Sequence, residues 1–310
     1  MVHQHAHSYA HRHAHSHVAT DYGRAFAIGI ALNLAYVAIE AAFGVIAGSL
    51  ALLADAGHNL GDVLGLALSW GAALLGRRQP NQRFTYGFRS SSILAALANA
   101  AILLVVTGGI AWEAVGRLSQ PVPVAGGVVA WVAAVGILVN GGTALLFARG
   151  RSRDLNVKSA FLHMTADALV TAAVVVTGIA VALTGLAWLD PAVSLVVSAV
   201  IVYGTWGLLR DSMRLALDAV PGGIDLLAVR AHLAALPGVA AIHDLHIWGM
   251  STTETALTCH LVMPSGHPGD AALGHIAQEL EARFGIHHAT IQIELGDSDE
   301  ACALTPESVV

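Results

Sequence analysis

The sequence predicts an all-α membrane bundle of six spanning helices, followed by a small α+β domain outside the bilayer. Three observations predict it. Only 12% of the 310 residues are charged and 55% are hydrophobic, with mean hydropathy +0.66, whereas soluble domains carry about 25% charge. The apolar residues are gathered into segments near the ~20 residues that cross a bilayer core. From about Asp211 the pattern changes to short amphipathic and alternating runs, with thirteen Asp and Glu against three Arg.

Six hydrophobic segments fall at Phe26–Ala47, Leu50–Leu75, Ser90–Ala114, Val122–Ala148, Ser159–Leu186 and Ala192–Leu209. The connectors are short, so neighbouring helices run antiparallel, and an even number of spans puts both termini on one side. Of the twelve Lys and Arg between residues 12 and 210, eleven fall on the side of the termini and only Arg117 lies opposite. Positive loops stay in the cytoplasm, so both termini are read as cytoplasmic. No signal-peptide pattern opens the chain.

The second region reads αββαβ. Ile224–Leu236 is amphipathic and stops at Pro237-Gly238. Val239–Met250 and Thr253–Pro264 alternate like strands, Gly269–Phe284 is helical, and Ala289–Leu295 is a third strand. That order predicts an open-faced sheet covered by two helices, a ferredoxin-like arrangement. The resulting organisation is a His-rich arm at 1–23, a six-helix bundle at 24–210, a cytoplasmic domain at 211–296 and an acidic tail at 297–310, expected to be disordered.

Ionisable residues within a bilayer are costly, so each marks a candidate function. The second segment contains Asp55-Ala-Gly-His58-Asn-Leu-Gly-Asp62 and the fifth contains His163-Met-Thr-Ala-Asp167. Both hold His-x-x-x-Asp, and a spacing of four puts both side chains on one helical face. A single such pair serves equally well as a polar contact between helices. Two pairs in separate spans supply two imidazole nitrogens and two carboxylate oxygens, which suits tetrahedral Zn²⁺. The two carboxylates also neutralise a divalent ion that would be very unfavourable alone in low dielectric. For the pairs to lie level, the fifth helix must begin before Ser159, near Arg153, since each residue rises ~1.5 Å.

Other polar residues in the spans have blander readings. Glu113 and Asp190 sit at helix ends, where solvent or capping explains them. Glu40 is deeper and reads either as a guard on an outer exit path or as an interhelical hydrogen bond. The pairs Gly108-Gly109, Gly126-Gly127 and Gly141-Gly142 suit close helix packing.

Histidines gather at both ends of the chain. His3, His5, His7, His11, His13, His15 and His17 alternate with small residues, a density of flexible imidazoles that collects Zn, Cu or Ni weakly. In the soluble domain, His243, His246, His260, His275 and Glu294 are candidate metal ligands against a plain reading as solvated surface groups. His260 shares a strand face with Thr258 and Val262, and Gln292 and Glu294 share one opposite Ile291 and Ile293, so these polar faces can meet on one side of the sheet. The two cysteines, Cys259 and Cys302, are too few for a disulfide framework or a Cys-rich zinc site; each reads first as an ordinary thiol and second as a lone ligand.

The motifs GSLALLADAGHNLGD at 48–62, TYGFRSSSILAALANA at 85–100, LNVKSAFLHMTADAL at 155–169, LDPAVSLVVSAVI at 189–201 and HDLHIWGM at 243–250 together resemble the cation diffusion facilitator family, in particular its bacterial zinc exporters. The resemblance implies a homodimer in the bacterial inner membrane that exchanges cytoplasmic Zn²⁺ for protons by alternating access, with no nucleic-acid partner and no enzymatic activity. It also implies that His58, Asp62, His163 and Asp167 form the transport site, and that His58, where broader relatives have Asp, favours zinc with cadmium or cobalt as followers. The cytoplasmic domain is implied to sense metal and steady the dimer. Gln292 and Glu294 stand where relatives have His and Asp, and Arg77–Phe88 lacks a further loop site. Two other classes are an intramembrane metalloenzyme and a metal-sensing receptor without ion flux. The first needs an open coordination position and a general base, and no His-Glu-x-x-His is present.

Overall fold

The computed structural model describes the backbone of residues 22–148 and 155–296, together with Cys302 and Leu304. Side chains are described over 31–145 and 165–296, apart from residues 32, 66, 69, 143 and 144, and at residues 302 and 304. The His-rich arm, apart from the start of the first helix, lies outside the described residues.

Six long helices come first: α1 (Tyr22–Ala47), α2 (Leu50–Gly76), α3 (Ser91–Ser119), α4 (Gly126–Ala148), α5 (Leu155–Thr184) and α6 (Leu189–Ala216). Among the described residues, Leu50–Gly76, Ser91–Ser119, Thr165–Thr184 and Leu189–Ala216 are long and apolar enough to cross a membrane, and Asn33–Ala47 and Gly126–Gly142 are shorter apolar stretches. The bundle is turned inside out relative to a soluble protein. Glu40, Asp55, Asn140, Asp167, Thr171 and Asp190 are buried while Trp112, Trp131, Leu183 and Tyr203 are exposed, as expected where lipid replaces water. Exposed aromatics mark both ends, with Trp112, Trp131 and Trp188 at one and Trp70, Tyr203 and Trp206 at the other.

Two helices extend past their apolar segments. Helix α5 is already formed at Leu155, ahead of Ser159, as the level placement of the two pairs requires, because nothing between these residues breaks a helix. Helix α6 runs to Ala216, past the expected boundary at Asp211, because Arg210, Asp211 and Arg214 continue the helix beyond its apolar part.

Small residues set the closest helix approach, at fewer positions than the glycine pairs suggested. A Cβ on Gly126 would lie 2.5 Å from the Gly178 carbonyl oxygen, and one on Gly178 would lie 2.5 Å from the Ala130 nitrogen, so α4 and α5 touch backbone to backbone. Among the described residues, a Cβ on Gly108, Gly109, Gly127, Gly141 or Gly142 would meet nothing within 4 Å, so their reading as packing positions has no contact behind it there.

The turn between α1 and α2 is fixed by polar groups. Gly48 takes φ +68, a conformation open to glycine, and its carbonyl accepts a bond of 2.7 Å from Arg117. Ser49 caps α2 through the amide of Leu52. Asp190 adds a second cap from α6, accepting from the Leu50 amide at 2.7 Å. Asp190 is therefore a buried interhelical cap of α2 rather than a solvated end of its own helix.

The second domain follows the predicted order: α7 (Leu226–Ala234), β1 (Ala241–Gly249), β2 (Thr255–Val262), α8 (Asp270–Phe284) and β3 (His288–Glu294). Strand β1 pairs antiparallel with β2, and β2 pairs parallel with β3 across the α8 crossover. Val229 and Leu233 from α7 and Ile276 and Leu280 from α8 pack on Ile247, Leu257 and Leu261, leaving the other sheet face to polar residues. The two regions also meet away from α6. Arg89 pairs with Glu254 at 2.6 Å, the Ser90 hydroxyl donates to the Met250 carbonyl and the Thr252 amide donates to Ser92 Oγ.

Candidate metal centres

Helix α2 presents His58 and Asp62 one turn apart, and α5 brings Asp167 against them. His58 Nε2 lies 3.2 Å from Asp167 Oδ1 and 3.9 Å from Asp62 Oδ2. The ligand atoms of all three residues lie within 4.8 Å of one another, close enough for one ion to reach each at the ~2.0–2.2 Å of zinc bonds. Asp167 is buried, while the side chains of His58 and Asp62 are partly accessible, so the group opens on one side. His163 lies on α5 four residues before Asp167, and its side chain is outside the described residues. The earlier start of α5 is what lets the two helices present these residues level.

Sequence reasoning passed over a second polar layer beside this group. Asp55 and Asn59 on α2 and Tyr36 and Glu40 on α1 are all buried. Tyr36 donates to Glu40 Oε1 at 2.7 Å and Asn59 to Glu40 Oε2 at 3.2 Å. Of the two readings of Glu40, the interhelical hydrogen bond is present. The signal for Asp55 was its spacing of three before His58, which puts it near the same helical face.

A second group forms on the polar face of the three-stranded sheet. Register sets His243 opposite His260, His260 opposite Gln292 and Val262 opposite Glu294. His260 Nδ1 lies 2.8 Å from Glu294 Oε1 and His243 Nε2 lies 3.3 Å from Glu294 Oε2. Cys302 Sγ lies 3.8 Å from His260 Nδ1. His243, His260, Glu294 and Cys302 thus offer ligand atoms within 4.8 Å of one another. Both histidines are buried, which corrects their reading as solvated surface groups. Burial alone would raise the Glu294 carboxyl, but hydrogen bonds with Cys302 and His260 and the potential of both histidines hold it below its ordinary range.

His246 and His275 are not drawn into that group. A bulge shifts the β1 register between His243 and His246, with Asp244 at φ 51, and the His246 ring pairs with Asp244 at 2.8 Å. His275 is exposed on α8 and pairs with Glu279 one turn on. In the sequence Cys302 reads as a thiol before a lone ligand because it lies in the acidic tail, beyond any strand register; in the structure it joins the group. Gly296 turns the chain at φ +69 as it leaves β3, and Cys302 lies back beside the sheet. The other cysteine behaves as an ordinary thiol: Cys259 faces the core, and burial, with Asp244 adding, pushes it up to about 12.

The chain matches the cation efflux transmembrane domain over residues 26–215 and the cation efflux protein cytoplasmic domain over residues 221–295. It is 34% identical over 281 residues to the metal cation efflux system protein CzcD of Cupriavidus metallidurans, covering 90% of this chain and 89% of that one. It is 34% identical over 271 residues to the zinc transporter ZitB of Escherichia coli, covering 87% and 86%. The cadmium, cobalt and zinc/H(+)-K(+) antiporter of Bacillus subtilis is 33% identical over 264 residues, covering 84% and 85%.

Proposed function

This chain belongs to the cation diffusion facilitator family of cation efflux transporters, which are not enzymes, and from that premise we propose that it exports Zn²⁺ in exchange for protons. Cadmium and cobalt are the next best cargoes. The observation that carries this reading is the convergence of His58, Asp62 and Asp167 from two helices inside the bundle, with His163 positioned by its spacing to complete a His₂Asp₂ set.

Two carboxylates and two neutral imidazoles give a loaded site without net charge, so the ion crosses low dielectric as part of a neutral unit. Emptied, the same site carries two negative charges and takes up protons, which the metal must expel to bind. That competition makes the exchange obligatory. The six helices each span the bacterial inner membrane, both termini face the cytoplasm, and the site opens to either face in turn as α2 and α5 move. The second domain supports a homodimer, consistent with its match to the family's cytoplasmic domain.

A second, regulatory reading belongs to the cytoplasmic group. His243, His260, Glu294 and Cys302 hold two nitrogens, one carboxylate and one sulfur together, a donor set suited to Zn²⁺. The domain is therefore proposed to sense cytoplasmic metal. The seven histidines of the arm collect zinc near the entrance.

The test is transport in proteoliposomes with Zn²⁺, Co²⁺, Cd²⁺, Mn²⁺ and Fe²⁺ under an imposed proton gradient. Uphill zinc flux driven by the gradient, with proton release on zinc binding in detergent, is expected. A metal receptor gives neither, and a uniporter gives flux that ignores the gradient.

A further inference from the structure

The connector between α2 and α3 carries charge that neither metal group uses. Residues 77–89 hold Arg77, Arg78, Arg83 and Arg89 and no Asp or Glu. Arg89 is neutralised by Glu254 of the second domain. Arg77, Arg78 and Arg83 are exposed, and among the described residues their guanidinium groups have no acidic or hydrogen-bonding partner. Like charges on so short a connector repel one another, so an anion seated among them gains from all three.

The connector is held in one shape. Asn81 Oδ1 accepts from the amides of Arg83 at 2.9 Å and Phe84 at 3.0 Å, and the Asn81 amide donates to the Phe84 carbonyl at 3.0 Å. The Gly87 amide donates to the same carbonyl at 2.9 Å. Gly87 takes φ +70, and a Cβ there would stand 3.3 Å from the Arg78 carbonyl oxygen. The rings of Phe84 and Phe88 lie 4.6 Å apart. The turn bearing Arg83 is thereby closed against the end of α2, which bears Arg77 and Arg78. A topological signal requires only the charges, whereas this turn gathers them. The surface beside them indicates what kind of anion fits. Trp70, Leu74 and Arg77 follow at i, i+4 and i+7 on one face of α2, with Arg77 still helical at φ −78 and ψ −11. Trp70 is 69% exposed and Leu74 46%, and the turn adds Phe84, also exposed. Helix α2 lies within the match to the transmembrane domain. An exposed apolar stripe that ends in cations matches a phospholipid, its chains along the helix and its phosphate at the end. A free phosphate would use the arginines and leave the stripe without a partner.

We propose that Arg77, Arg78 and Arg83 bind the phosphate of an anionic phospholipid whose acyl chains lie along Trp70 and Leu74. Guanidinium suits this role, since its planar fork meets phosphate oxygens through two parallel hydrogen bonds. Each cation at an anionic membrane surface strengthens binding by about five-fold. A lipid held here ties the end of α2, the helix that carries His58 and Asp62, to the membrane surface. The site depends on the chain lying in a membrane and not on which metal it carries or on proton exchange.

The experiment is native mass spectrometry of the full-length protein released from detergent micelles, titrated with phosphatidylglycerol or with phosphatidylcholine of the same chains. Wild type is expected to bind phosphatidylglycerol more tightly than phosphatidylcholine. Arg78→Gln and Arg83→Gln are each expected to lose about five-fold in phosphatidylglycerol affinity, and the triple variant with Arg77→Gln on the order of a hundred-fold. Phosphatidylcholine binding is expected to stay unchanged in all of them. Arg210→Gln, on the same membrane face but paired with Asp211, is expected to bind both lipids as wild type does. Excess glycerol phosphate, the headgroup without chains, is expected to leave phosphatidylglycerol in place. The thermal midpoint without added lipid checks folding, and the two single variants carry the test if the triple variant does not fold. Equal affinity of wild type for the two lipids, wild-type phosphatidylglycerol affinity in the arginine variants, or an equal loss in Arg210→Gln overturns the proposal. Displacement by glycerol phosphate overturns it in favour of a free-phosphate site.

Discussion

The Ser49 hydroxyl donates to Asp190 Oδ1 at 2.5 Å across 141 residues of chain. With the Leu50 amide on the other oxygen, this carboxylate fastens the N-terminal end of α2, the helix carrying His58 and Asp62, to the start of α6. Asp190→Ala leaves the Leu50 amide without its buried partner, and a donor so orphaned costs about 1–3 kcal/mol. The thermal midpoint in detergent is expected to fall, and by less in Asp190→Asn, which keeps one acceptor. Equal midpoints for Asp190→Ala and wild type would show that the cap contributes nothing.

The proposed transport site gives a second prediction. Asp62→Ala or Asp167→Ala removes a ligand and half of the neutralising charge, so zinc flux is expected to vanish while the protein stays folded and dimeric by size-exclusion chromatography. Near-normal flux in either variant would sink the assignment of that residue.

Selectivity follows from the donor atoms. His58→Asp replaces a borderline nitrogen with a hard oxygen, and the preference for zinc is expected to relax toward Mn²⁺ or Cd²⁺. Ratios of flux across the five metals read this directly, and unchanged ratios would remove His58 from the coordination shell.

The cytoplasmic group predicts a dependence on pH. The Glu294 carboxyl is held below its ordinary value of 4.5 by hydrogen bonds and the two histidines, against the opposing effect of burial. Its contribution to folding is thus fully present above about 4.5 and is lost as pH falls through the lower, folded value. Glu294→Gln is expected to remove that acid-limb loss from the unfolding profile of the full chain. Cys302→Ser is expected to weaken zinc binding to this domain by about ten-fold or more, as removal of a thiolate ligand would. Calorimetric titration that finds equal affinity would place Cys302 outside the shell.

Much of this chain is legible in the order of its residues. The number, order and approximate ends of the helices follow from the apolar segments, because a bilayer core imposes one length on every spanning helix. The two His-x-x-x-Asp pairs follow from helical period alone, which fixes which side chains share a face. The αββαβ order of the second domain, and the meeting of His260 with Glu294, follow from alternation along strands.

What only the tertiary structure decided are relations between segments distant in sequence. No local pattern announces that Asp190 caps α2, because the unsatisfied amides belong to one helix and the carboxylate to another. The bulge at Asp244 separates His246 from the group that His243 joins, since one extra residue resets the register of everything after it. Cys302 reaches His260 through a tail with no periodicity to read. The bond from the Asn59 amide to Glu40 exists because α1 and α2 pack against each other. Periodicity in a sequence reports which way a side chain faces, and packing alone reports what it faces.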